Sequence, residues 1–476
     1  MDKGIQEAKK EVERDNFSDE IKLQLEEKGH LTSDIENAIS TYSKKVKFNK
    51  RSFESKEVKR IFWKELFDRI GYGFSSQQFI NILFFQTGAS YFVIGAINGL
   101  RVILSVLITS FLGEYSKIRK ISKRFIGTTG ILFGLCFIFM AIARLFHSVP
   151  LFALALLIGS IGAVSYGDLY QSIFRNALKK ERIHFLRNIA QYGLIITGIS
   201  IIIASLLMDK FPATGTPVSL FGLEFRIFGY LIAFEIAAIS FIVSGYVLSF
   251  IKEKQIKIIE KRSPLTQLKI QLESLKDSLP VFIKNKAIVV LVIASIITGF
   301  VQTLGNSYYG IYIYETFKYS YFGGFMNVGI VFLIAILTSF FAPFIVKQNS
   351  KEYGKFPMLV FGTLLMAIMP LTYYYNPNLV SISMGTLLGV IGAAITGVAH
   401  GLLTADLMSE KERKVYFSEY SFLIIIPYLI IMPIGAYAAQ AYGLRTLFLL
   451  LGLILTLIVV PLYFLIIILH NKKEKI

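Results

Sequence analysis

The sequence predicts an all-α membrane protein: twelve transmembrane helices in two pseudo-symmetric six-helix bundles. Three features carry that expectation. Apolar runs near the ~20 residues that span hydrocarbon recur along a 476-residue chain that is 54% hydrophobic and only 17% charged. The chain repeats itself at an offset of 229 to 231 residues. Its positive charge collects in alternate connections.

Backbone groups in lipid must be paired inside the protein, which leaves helices or a closed barrel, and the runs are too long for alternating barrel strands. They fall at roughly 66–88, 91–113, 123–146, 150–177, 187–208 and 225–251, then 286–314, 320–346, 355–375, 379–408, 415–440 and 444–470. Six plus six matches the repeat. Ser90-Tyr91-Phe92 returns as Ser320-Tyr321-Phe322, Asn98 as Asn327, and Thr109-Ser110-Phe111 as Thr338-Ser339-Phe340. Lys120–Phe125 is echoed by Lys351–Phe356, and Lys179–Arg182 by Glu410–Arg413.

The net charge of +18 is a topology signal rather than a nucleic-acid footprint. Lys117, Arg119, Lys120, Lys123 and Arg124 follow the second run; Arg175, Lys179, Lys180, Arg182 and Arg187 follow the fourth; nine Lys or Arg lie between Lys252 and Lys286. The opposite connections carry only Arg144, Lys210, Arg226, Lys318 and Arg445. Both termini are therefore expected on the cytoplasmic side of a cell membrane. Cys136 is the single cysteine, which excludes a disulfide framework and a thiolate metal site. The first 60 residues are polar, so the first span is expected to serve as an uncleaved insertion signal.

The expected domains are a cytoplasmic extension (1–64), a first bundle (65–251), a cytoplasmic amphipathic linker (252–285), a second bundle (286–470) and a short tail (471–476). Residues 1–42 hold 11 acidic and 6 basic side chains, with short helices expected near 18–28 and after the Ser33–Glu36 capping box. Residues 43–64 carry nine Lys or Arg against two Glu and are expected to lie along anionic lipid. Leu265, Leu268, Leu272 and Leu275 space an apolar face along the linker, between Pro264 and Pro280.

Twelve spans, two similar halves, cytoplasmic ends and a long middle loop resemble the major facilitator superfamily over about residues 66 to 470. After the second span that superfamily places a Gly, an Asp and a basic cluster. Here Gly113, Glu114, Lys117 and Arg119 stand in that segment, with Lys117 where the acid belongs and Glu114 able to take over its ion pair. Arg182 and Arg413 resemble the basic turns that lead into the fifth and eleventh spans; ordinary inside-positive topology would also supply them. The resemblance implies alternating access, with the first, fourth, seventh and tenth helices lining a central cavity.

Polar groups inside spans mark candidate sites, because ionisable side chains there cost roughly 2.5–3.5 kcal/mol on insertion scales. Asp168, toward the inner end of the fourth span, and His400 on the tenth are expected to close an inner gate, with protonation as a route to coupling. Arg101 falls near mid-membrane and needs an anion, either a solute carboxylate or phosphate or Glu235 on the sixth span. Ser76 and Gln77 match Asn306 and Ser307 at an offset of 230, and Asn81 lies one turn beyond Gln77. Gln302, Asn306 and Tyr309 share one face of the seventh span. These amides and the phenol are expected to contact solute, with Tyr308 and Tyr312 adding aromatic wall.

The sequence has no GxxxxGK[ST] loop and no HExxH, so ATP-driven pumping and zinc hydrolysis have no motif, and neither an enzyme nor a cofactor is expected. The expected activity is secondary active transport of a small-molecule solute, proton-coupled, by a monomer. Two other readings stay open: a transporter-like membrane sensor or scaffold signalling through the N-terminal extension, and a lipid translocator.

Overall fold

The computed structural model describes residues 56–118, 123–177, 182–220, 223–250, 273, 285–349, 354–408 and 410–474. The expected helices at 18–28 and after Ser33, most of the basic strip and almost all of the linker lie outside them. The chain divides into two units, 1–59 and 60–476, and the elements below belong to the second apart from the first turn of α1.

In order they are α1 (Lys56–Phe74), α2 (Gln77–Gln86), α3 (Tyr91–Ile118), α4 (Lys123–Leu145), α5 (Val149–Ala177), α6 (Arg182–Lys210), a hairpin of β1 (Thr216–Leu220) and β2 (Leu223–Ile227), and α7 (Gly229–Ser249). The second half has α8 (Lys286–Phe317), α9 (Gly324–Asn349), α10 (Lys355–Tyr375), α11 (Leu379–Leu407), α12 (Glu410–Ile454), a π-helical turn over Leu455–Val459 and α13 (Val460–Glu474). Among the described residues ten helices are long and apolar enough to cross a membrane.

Three segments depart from the expected spans. The first is split: Ser75 bends its hydroxyl back to Gly71 O (2.7 Å), Ser76 is extended (φ −48°, ψ 138°), and helix restarts at Gln77. Its leading part, α1, begins ten residues early and draws Lys64 inward. Lys64 is 3% exposed, with Nζ 2.6 Å from Asp68 Oδ2 and 3.2 Å from the Tyr170 ring centre, so its charge is turned into the protein and not onto lipid as expected. The sixth segment starts as strand: β2 pairs antiparallel with β1 from Thr216↔Ile227 to Leu220↔Leu223, and helix begins at Gly229. The last two segments run on as one helix broken at Gly443, whose φ of 80° suits glycine alone among common residues.

The two halves pack alike. In the first, α4 lies on α5 and α7, and α3 on α5; in the second, α10 lies on α11 and α12, and α9 on α11. The main seams between the halves are α3 on α12, α6 on α9 and α2 on α8, and α8 also touches α3. The first seam is close because Gly95 and Gly99, one turn apart, present bare backbone to α12. A Cβ on them would meet Ala436 Cβ at 2.6 Å and Met432 Cβ at 2.7 Å.

The seams are tied toward the hairpin end of the bundle. Tyr308 donates to Tyr91 O (2.8 Å), Phe92 N to Gln440 Oε1 (3.4 Å), Gly310 N to Gln78 Oε1 (3.0 Å) and Asn81 Nδ2 to Asn306 O (3.1 Å). Asp209, ending α6, accepts from Phe325 N (2.9 Å) and Met326 N (2.7 Å), capping the start of α9 across the seam. The opposite end of the bundle is the basic one. There Gly397 and Gly401 on α11 face open space.

Candidate functional site

The break at Ser76 positions the site. With helix restarting at Gln77, Gln77 is level with the middle of α3, and the two helices share a buried amide network. Asn81, fully buried, accepts at Oδ1 from Gln77 Nε2 (3.2 Å) and from Asn98 Nδ2 (3.1 Å). Gln77 Nε2 also donates to Asn98 Oδ1 (3.1 Å). A discontinuous helix at mid-membrane is tolerated where freed polar groups line a cavity.

Arg101 completes this network. It lies ten residues, about 15 Å, from the start of α3. Its Nη1 donates to Gln77 Oε1 (2.9 Å) and Asn98 Oδ1 (3.0 Å), and its Nε to Ser160 Oγ on α5 (2.7 Å). All three partners are neutral, and Nη2 takes part in none of these bonds. Among the described residues no carboxylate pairs with it; the expected Glu235 partner is exposed on the outer face of α7. That pairing is corrected: α7 packs on α4 and α6, which turns Glu235 away from α3.

Arg101 lines a cavity of about 350 Å³ between the halves. Gln77, Asn98, Ser105 and Ser160 form its wall on one side; Thr303, Asn306 and Ser307 of α8 form it on the other. A second cavity of about 300 Å³ lies within the second half, walled by α8, α9, α10 and α11. Asn306 belongs to both. Gln302 and Asn306 are exposed although they sit mid-helix in an apolar span, and neither side chain makes a hydrogen bond inside the protein.

The expected solute contacts thus divide. Gln77, Arg101 and Asn306 face the first cavity, and Gln302, Asn306 and Tyr309 the second. Ser76 and Asn81 line neither: Ser76 is the bend residue, and Asn81 is consumed holding Gln77, Asn98 and Asn306 in place. Tyr308 is fully buried where α8 meets α3, and Tyr312 packs on Tyr373 and Phe448, so neither forms the expected aromatic wall. Asn98, Ser105, Ser160 and Thr303 line the site without having been singled out for it.

Three solved structures share this fold. The nucleoside transporter NupG superposes with a TM-score of 0.65 at 13% identity over 87% of this chain and 99% of its own. A POT family transporter in complex with 5-aminolevulinic acid gives 0.59 at 15% identity, over 87% and 96%. A D-xylose-proton symporter gives 0.56 at 14%, over 85% and 96%. The chain has the fold of these transporters. No sequence-family model and no curated protein sequence matches it, so the likeness is one of fold.

Within that fold the coupling candidates scatter. Asp168 on α5 is half-buried, and its Oδ2 is enclosed without a hydrogen bond. His400 on α11 bonds through Nε2 to Ser295 Oγ (2.6 Å), and the expected Asp168–His400 pair is not made in this structure. Arg413 is helical, with Nε enclosed and unbonded. Arg119 lies outside the described residues, and only the backbone of Gly113, Glu114 and Arg182 is described there.

A buried cluster away from both cavities escaped the sequence. Lys64 and Asp68 pair in the core of the first half, where Asp68 Oδ1 accepts from Ser244 Oγ (2.5 Å) and Tyr166 OH (3.3 Å). Their i,i+4 spacing was the available signal. It was hidden because Lys64 reads as the last charge of the basic strip.

Proposed function

We propose that this chain is a secondary active transporter that moves a small anionic solute between its two halves by alternating access, coupled to a proton. The observation that carries it is Arg101: a guanidinium at mid-membrane, held by three neutral groups, with Nη2 left over beside a polar cavity and no carboxylate opposite. A charge there is costly unless an anion completes it, and a planar fork suits a carboxylate or phosphate. Small-solute transport is what the superposable proteins are named for, and that supports the class without choosing the solute.

In this reading residues 65–251 and 286–470 are the two moving bodies, joined by the 252–285 linker, and the basic end faces the cytoplasm. The present conformation is then the inward-facing one, closed at the hairpin end. Asp168 and His400 lie toward the basic end and pair when that end closes; protonating Asp168 releases them, which gives the proton its part. An apolar groove of about 300 Å³ between α6 and α9, lined by Ile195, Ile199 and Leu333 among others, is what a lipid translocator would use. The polar lining around Arg101 favours a soluble solute.

The test is uptake of labelled carboxylates and phosphate esters into liposomes holding the purified chain, with and without a pH gradient. The expected result is gradient-driven uptake of an anion that Arg101→Gln abolishes. Equal uptake by that variant would contradict the reading.

A further inference from the structure

The second cavity has no role in holding the anion, yet it shares Asn306 with the site that does. Its wall is largely apolar: Phe332 and Ala335 from α9, Met366 and Met369 from α10, Val390 and Ala393 from α11. Pro370 stands in the same wall and lacks the N–H that would bond the carbonyl one turn earlier, so α10 offers bare backbone there. Polar groups are few and neutral: Gln302, Asn306, Tyr309 and Thr386. Among the described residues lining the two cavities, Arg101 is the single charged side chain.

A solute carrying an ammonium group would enter a site with no anion to meet it, and buried unpaired charge is strongly disfavoured. A solute of one charge alone would fill the first cavity and leave the second to water. The two free amides at the junction, Gln302 and Asn306, one helical turn apart, suit neutral hydrogen-bonding atoms between the ends of an extended molecule.

From this we infer that the two cavities are halves of one site for an amphipathic monoanion: its acidic group on Arg101, its amide- or hydroxyl-bearing middle on Gln302 and Asn306, and its apolar or aromatic tail in the second cavity. The assignment rests on the anionic-solute reading above and adds the tail and the absence of a cationic group.

The experiment is competitive binding to the full chain in nanodiscs, with Arg101→Gln discs as the blank. The probes are straight-chain monocarboxylates from two to ten carbons, phenyl-substituted carboxylates, and amines, alcohols and α-amino acids of matching length. The expected result is affinity rising about fourfold per methylene, the ~0.8 kcal/mol of burying one CH₂, until the cavity is full. Amines, alcohols and zwitterions bind at least about tenfold more weakly. Ala393→Leu, and separately Ala335→Leu from the facing helix, should narrow the ratio of long-chain to short-chain affinity.

Carboxylates that bind through Arg101 with no length dependence, or whose length dependence neither filling variant alters, would overturn the tail assignment and leave the anion reading standing. Amino acids that bind as well as the matching carboxylates would overturn the monoanion assignment alone. Binding unchanged in Arg101→Gln, or no binding by any probe, would overturn both.

Discussion

At the scale of single residues, the site depends on how a buried cation is satisfied. Arg101 spends two of its nitrogens on neutral acceptors, and Lys cannot reproduce that fork. Arg101→Lys is expected to cut anion affinity by about 10- to 100-fold, the worth of a charge-assisted hydrogen bond, measured by displacement of a bound carboxylate. Lys64 and Asp68 make a separate case. Removing one partner of a buried pair typically costs about 3–5 kcal/mol, whereas replacing both by apolar groups is often near neutral. Lys64→Met is therefore expected to lower the melting temperature sharply, and adding Asp68→Leu to recover most of the loss. Fluorescence of Trp63, the chain's single tryptophan and next to Lys64, reads both. Arg101, Gln77, Gln302 and Asn306 were legible in the sequence because each interrupts an apolar run. Ser160 and Thr303 were not, since a hydroxyl in a membrane helix usually bonds its own backbone, and these also do, to Leu156 O and Gly299 O. Asn98 was visible only as half of a repeat. Its partner Asn327 does different work, donating to Phe317 O and Ser320 O to fasten the turn between α8 and α9.

At the scale of elements, breaks and caps decide more than spans do. The helix lengths followed from hydrophobic runs, but the split at Ser76 did not, because its cause lies in packing. Gly73 abuts α6 so closely that a Cβ there would meet Thr197 O at 2.9 Å, and the Ser75 hydroxyl then closes the turn on Gly71. The last three residues of β2, 225–227, were read as the start of a helix because apolar residues of strand and helix look alike over so few positions. The Asp209 cap on α9 is a contact between elements distant in sequence and had no local signal. Because it spans a seam that must part if the hairpin end opens, Asp209→Asn is expected to shift the population toward the opened form by about twofold to thirtyfold, from the ~0.5–2 kcal/mol of a helix cap. Spin labels on Lys210→Cys and Tyr319→Cys report it through a longer second distance. The native Cys136, 2% exposed, adds little background. An unchanged distance distribution would show that the cap holds nothing shut.

At the scale of the whole molecule, the duplication was the most legible feature, and it survives as paired packing: α4 with α5 and α7 against α10 with α11 and α12, and the seams α3–α12 and α6–α9. What the repeat did not foretell is the asymmetry of the site. The cation and amide network belong to the first half, and the apolar cavity belongs to the second, so the halves have diverged into complementary ends of one pocket. The structure also fixes one conformation, tied at the hairpin end, and the proposed alternating access requires the opposite one as well. Cysteine accessibility from the two sides of the membrane tests this most directly. Ser105 lines the first cavity and bonds only to the carbonyl of Arg101 in its own helix, so Ser105→Cys is a mild probe. In oriented vesicles, a membrane-impermeant thiol reagent is predicted to reach it from either side, with a saturating bound carboxylate protecting it in both cases. Reaction from one side alone under every imposed gradient, or from neither, would contradict the account.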